Sequence, residues 1–309
     1  MDESPELAGR AGIERGGSHA EIFSWCTDIG RAAQPTDGAG RIIRGDPEVD
    51  LSSAGDRSRG ARGALVAALL LAGSRASAQE DEIQVYTGEI ASPGAVDLTL
   101  HANYAVSGRT TSRFPGGIVP DGALNGALEL GVGVTPWLEL GLYLPVYTVT
   151  RDGEILFDGT KLRALFVTPH AESRRAYAGV NLELSFNAAH WDPSRVTGEV
   201  RFILGGRVGT VELTLNPILD TAFDGFGAIS LTPAERLAWH ASRRWTIAVE
   251  HYGSLGALDQ LEPVSRQGHA LFAVLDHDGS PAAVEVGVGF GLTDATDGLL
   301  LKLIVTPEL

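Results

Sequence analysis

The chain has 309 residues, 44% of them hydrophobic and 39 of them glycine, and a net charge of −15 at pH 7. Length alone admits one barrel or two ordinary domains. The sequence holds no run of 18 or more apolar residues, which excludes a helical membrane protein, and its acidic balance disfavours nucleic acid as a partner.

Residues 1–56 mix Gly, Asp, Arg and Ser without a sustained helix or strand period, so they are expected to be disordered or to be an extension translated from a start placed too far upstream. The second reading follows from what comes next. Over 57–78, Arg57, Arg59 and Arg62 precede an apolar run at 63–73, and Ala76-Ser77-Ala78 closes it as a small-x-small cleavage site. That is a secretory signal, and a signal opens a chain. An alternative start at Val49 or Leu51 would give it ordinary length. The mature chain is expected to be a single domain, 79–309, beginning at Gln79. It carries twenty-eight acidic residues against fifteen basic, and the only cysteine, Cys26, lies upstream of it, so no disulfide is available.

From residue 96 onward, apolar residues recur at every second position. In 96–104, Asp97, Thr99, His101 and Asn103 separate Val96, Leu98, Leu100, Ala102 and Tyr104. Strand side chains alternate between faces, so one face is apolar and the other polar. The same pattern marks 124–134, 138–146, 162–166, 178–186, 200–204, 211–219, 284–292 and 299–305, and more weakly 231–240, 245–252 and 269–276. The count is twelve, an even number as bacterial outer-membrane barrels require. Short links at 135–137, 168–176, 205–210, 241–244 and 277–283 alternate with longer or more polar ones at 106–121, 147–159, 187–195, 221–230, 253–268 and 293–298. Short turns belong on the periplasmic side and loops outside, so both termini are expected in the periplasm. Trp137, Tyr177 and Trp245 beside the short turns are expected to form an aromatic girdle.

A soluble β-sandwich also alternates, but it gives no reason for alternating loop lengths. The favoured fold is all-β: a closed antiparallel transmembrane β-barrel of twelve strands, with outer-membrane lipid around it. Its polar face is expected to line a lumen with Asp97, His101, Glu129, Glu139, Lys161, Arg163, Glu183, Glu199, Arg201, Glu212, Arg236, Glu250, Glu285 and Lys302. Asp220 shares that face, and Gly131, Gly133, Gly141, Gly287, Gly289 and Gly291 would leave space inside. A hairpin turn centred near Glu172 would set Lys161 opposite Glu183 and Arg163 opposite Asn181, with Leu162, Ala164, Leu182 and Leu184 in lipid.

Four stretches, 116–120 (Gly-Gly-Ile-Val-Pro), 132–145, 161–169 and 179–185, resemble uncharacterised proteobacterial outer-membrane barrel proteins, some of them labelled as the phenol-degradation MetA-pathway family or as transporters. The resemblance covers about 82–305 and implies a Gram-negative outer-membrane barrel, with motifs that are structural rather than catalytic. The chain departs from many such barrels by ending Thr306-Pro307-Glu308-Leu309 rather than in an aromatic residue.

No His-Glu-x-x-His, Cys-x-x-Cys or Gly-x-Ser-x-Gly motif occurs in the mature chain, and no cofactor is implied. Asp276-His277-Asp278-Gly279 reads as a turn. A barrel lipid hydrolase using Ser185 or Ser230 with His101 or His240 is the enzyme alternative, and a closed structural barrel is another. Passive transport of a small solute is the leading expectation, with the net acidic lumen favouring cations. N-terminal sequencing of the outer-membrane fraction should begin at Gln79; a chain retaining Arg62, or one recovered from the soluble periplasm, would remove the basis for the membrane reading.

Overall fold

The computed structural model describes residues 82–309, so the expected extension and signal at 1–78 and the expected start at Gln79 lie outside the described residues. The twelve strands are β1 (Val96–Ser107), β2 (Leu124–Thr135), β3 (Leu138–Val149), β4 (Ile155–Val167), β5 (Ala176–Asn187), β6 (Val196–Val208), β7 (Val211–Asn216 with Ile218–Thr221), β8 (Ile229–Leu231 with Ala234–His240), β9 (Trp245–Ser254 with Gly256–Ala257), β10 (Gly268–His277), β11 (Ala282–Gly291) and β12 (Leu299–Pro307). Each pairs antiparallel with its neighbours in sequence. The sheet closes where β1 meets β12, with Leu100 opposite Val305 and Tyr104 opposite Leu301. A closed ladder leaves no edge, the condition for a sheet to stand in hydrocarbon.

Prolines interrupt β7 and β8. Pro217 and Pro233 have no N–H to give to the ladder, and their carbonyls accept instead, from Phe202 and Gly253. The strands nonetheless run on through the breaks, because Arg201 pairs with Ile218 while Leu204 pairs with Leu215. A two-rung hairpin, Gly256–Ala257 against Gln260–Leu261, extends β9 beyond the wall.

Burial is inverted relative to a soluble protein. Leu140, Leu162, Leu204, Leu237, Ile247 and Val288 are exposed on the outer surface, while charged residues of the intervening positions are buried. Leu162 is 49% exposed and the adjacent Arg163 9%. An apolar exterior around a closed polar interior is the architecture of an outer-membrane barrel.

Four local expectations change. The β3–β4 link shrinks to 150–154, because both strands extend past the residues that alternate cleanly, so it is shorter than the opposite-side link at 168–175. Tyr177 is buried in the interior rather than at the girdle, because it shares the inward parity of Asn181 and Glu183. Trp239 joins the exposed Trp137 and Trp245 at that end instead. The β4–β5 register is displaced by two residues, with Arg163 opposite Glu183 and Lys161 opposite Ser185. Its turn holds a single 3-10 turn, Ala171–Ser173, entered through His170 in the left-handed region, which moves the centre of the hairpin. Finally, β10 runs on through Asp276 and His277, leaving the turn to the residues after them.

Leu162 sits near the middle of β4, facing outward. Leu162→Arg should lower folding stability in lipid vesicles by about 2–4 kcal/mol. Unchanged stability on denaturant titration would place this face away from lipid.

Candidate functional site

With the apolar side chains committed to the exterior, every charged side chain of the wall's other face must be accommodated within. Long inward side chains lie flat over glycines of the neighbouring strands. A Cβ on Gly141 would stand 2.6 Å from Arg163 Nε, one on Gly287 2.7 Å from Lys302 Cγ, and one on Gly289 2.3 Å from Phe272 Cζ. These glycines therefore make room for neighbouring side chains rather than for an open passage.

The charges assemble into belts that follow the strand order. In the first, Arg163 of β4 binds Glu139 of β3 and lies 2.6 Å from Glu129 of β2, whose other oxygen is 3.0 Å from His101 Nε2 of β1. In the second, Arg236 of β8 binds Glu250 of β9 and Asp276 of β10 and lies 3.7 Å from Glu285 of β11, while Lys302 of β12 binds both Glu250 and Glu285. Between them Glu183 takes Asn181 Nδ2 at 2.7 Å and Lys161 at 3.7 Å, and Arg201 grips Glu199 at 2.8 Å. Lower in the wall, Glu212 is bound by Arg207 at 2.8 Å, His240 at 2.9 Å and the Tyr177 hydroxyl at 2.6 Å. Asp97 lines a cavity at the strand-start end of β1 together with Glu129 and Glu139.

The interior also holds a segment that the strand pattern did not reveal. Residues 82–91 run inside the barrel, with Glu82, Ile83, Val85, Tyr86 and Ala91 buried. The wall holds this segment largely by its backbone. Asn216 accepts the Tyr86 N–H at 2.7 Å and donates to the Tyr86 carbonyl at 3.0 Å, so its side-chain amide stands in for a neighbouring strand. Arg201 donates to the Gln84 carbonyl at 3.0 Å, Lys302 to that of Ile83 at 3.3 Å, and the Ala91 N–H donates to Glu139 at 2.6 Å. The Tyr86 ring lies under the Arg201 guanidinium, 4.2 Å from its centroid, and its hydroxyl meets the Tyr143 hydroxyl at 2.7 Å and Glu183 at 3.3 Å.

Thirteen of the fourteen residues expected on the lumen face are thus brought into five ion-paired groups, with Asp97 at their margin. Reading the sequence did not single out Tyr86, Tyr143, Asn216, Arg207 or Asp276 as site residues. The alternation Ile83-Gln84-Val85, too short to span and left over from an even strand count, was the available signal for the segment. Of the hydrolase pairings, Ser230 with His240 does not assemble: the two lie toward opposite ends of β8, about 30 Å of strand apart.

No protein-family model matches the chain, and no curated protein does. Among solved structures, an outer-membrane channel from Pseudomonas putida F1 is similar at 12% identity and a TM-score of 0.50, over 73% of this chain and 99% of that one. The KdgM porin in complex with disordered oligogalacturonate (11%, TM-score 0.44) and the NanC porin (9%, 0.43) each align with 70% of this chain and with 99% and 100% of their own. At 12% identity the likeness to the outer-membrane channel is one of fold alone.

Arg163 holds two buried carboxylates. Arg163→Met should destabilise the barrel by about 3–5 kcal/mol by leaving them unpaired, and adding Glu129→Gln and Glu139→Gln should restore most of that loss. A triple variant as unstable as the single one, in denaturant titration, would show that Arg163 acts by packing.

Proposed function

We propose that the protein is a passive outer-membrane channel for a small polar solute, and that segment 82–91 is the element that closes its lumen. The observation that supports this is the division of the interior. A cavity of about 190 Å³ lies among the ends of β4–β9 and the 188–195 loop, and one of about 340 Å³ lies among the opposite ends of β1–β4, β11 and β12. Gln84 belongs to the linings of both. What separates them is a stretch outside the strand ladder, held through a small number of side chains, so it can move without opening the wall. The resemblance of four stretches to the phenol-degradation MetA-pathway family and to transporters agrees with this reading but names no solute.

A closed structural barrel is the second reading, favoured by the ion-paired belts, which fill much of the interior. The two differ in current. In planar bilayers the mature barrel should give small or intermittent conductance, and removal of residues 79–91 should raise it several-fold. Asn216→Ala, which removes both bonds to Tyr86 and leaves the strands intact, should raise the open fraction in the same direction. Absence of current from the intact, shortened and Asn216→Ala barrels alike would establish the closed structural barrel instead.

A further inference from the structure

The 190 Å³ cavity has room for roughly six water molecules. It is bounded by Glu82 and Gln84 of the interior segment, by inward residues of β4–β9, and by Trp191 and Asp192 of the loop above. Five carboxylates line it, Glu82, Glu183, Asp192, Glu199 and Asp220, against two cations, Lys161 and Arg201. The cations are already committed, Lys161 to Glu183 and Arg201 to Glu199. Asp220 accepts a hydrogen bond from Thr232, a neutral partner. Glu82 is the exceptional group: it is 7% exposed, and neither of its carboxylate oxygens makes a hydrogen bond.

A carboxylate buried without a donor is costly, and such groups in folded proteins mark a bound partner or a functional strain. Here two carboxylates on different walls of one cavity, one on the interior segment and one on β7, form no ion pair of their own, although Arg201 acts on both from a longer range and Lys161 on Asp220. Among the described residues no three His, Cys, Asp or Glu side chains cluster closely enough to hold a metal ion. The surroundings suit a larger cation. Ser185, Thr197 and Ser230 offer hydroxyls, and Trp191 and Tyr252 add aromatic rings of the kind that attract ammonium groups.

We infer that this cavity is a binding site for small organic cations bearing primary amines, with Glu82 and Asp220 as the two anionic contacts. This names a solute class for the channel proposed above and rests on that reading for its role in transport. Because Glu82 sits on the closing segment, an ammonium bound there touches both the mobile element and the wall.

Calorimetric titration of the purified mature barrel in detergent tests binding without requiring conduction. The probe is 1,4-diaminobutane, with 1,4-butanediol as the neutral analogue and succinate as the dianionic one. The diamine should bind, while the diol and succinate should not. Glu82→Gln and Asp220→Asn should each weaken diamine binding at least tenfold while keeping the heat-dependent gel shift of a closed barrel. No diamine binding, or the same affinity in both variants, would overturn the inference. If the diamine fails to bind while bilayer current persists, the solute class is wrong and the channel stands. If it binds and no current is found, the site stands and the channel fails.

Discussion

In hydrocarbon a backbone N–H or C=O finds no water, so a sheet spans only when its first and last strands meet. That meeting, β1 with β12, commits every second side chain to lipid and sends the rest inward. The interior's size then matters. Eight strands enclose a space that side chains just fill, and sixteen or more enclose an aqueous channel. Twelve fall between, so inward side chains have to be long and mutually supported, and a segment of chain can fit among them.

Electrostatics follows from the same geometry. Inward positions that hydrogen-bond well in a narrow, polar interior are charged ones, and a charge removed from water is tolerable only when paired. Pairing here reaches across neighbouring strands and over them: β1 to β4 through His101, Glu129, Glu139 and Arg163, and β8 to β12 through Arg236, Glu250, Asp276, Glu285 and Lys302. Such belts penalise register slips, since moving one strand by a residue would turn its member into lipid. The seam between the belts, β5 to β7, is where Arg201 and Asn216 turn their hydrogen bonds to segment 82–91. The belts hold the segment as well, through Glu139 at the Ala91 N–H and Lys302 at the Ile83 carbonyl, so it is engaged from both the seam and the belts.

The strands were legible because lipid enforces alternation at every crossing: Leu162 and Leu182 face out and Arg163 and Glu183 in, as a period of two dictates. Which inward side chains meet was less legible. The Lys161–Glu183 contact exists at 3.7 Å, but it runs diagonally, because pairing depends on a turn whose left-handed His170 has no strong sequence signature. Tyr177 was misread because an aromatic beside a turn fits a girdle or the interior equally until parity is applied. Segment 82–91 was missed for a different reason. Its partners are side chains such as Asn216 and Glu139, so it forms no ladder and leaves no long repeat.

The account depends on segment 82–91 lying bonded inside the wall. Hydrogen exchange with mass spectrometry on the mature barrel in lipid reads this directly. The Tyr86 and Ala91 amides, bonded to Asn216 and Glu139, should exchange more slowly than the 108–123 loop and faster than the β1–β12 seam. Exchange at 82–91 as fast as in that loop would contradict the account.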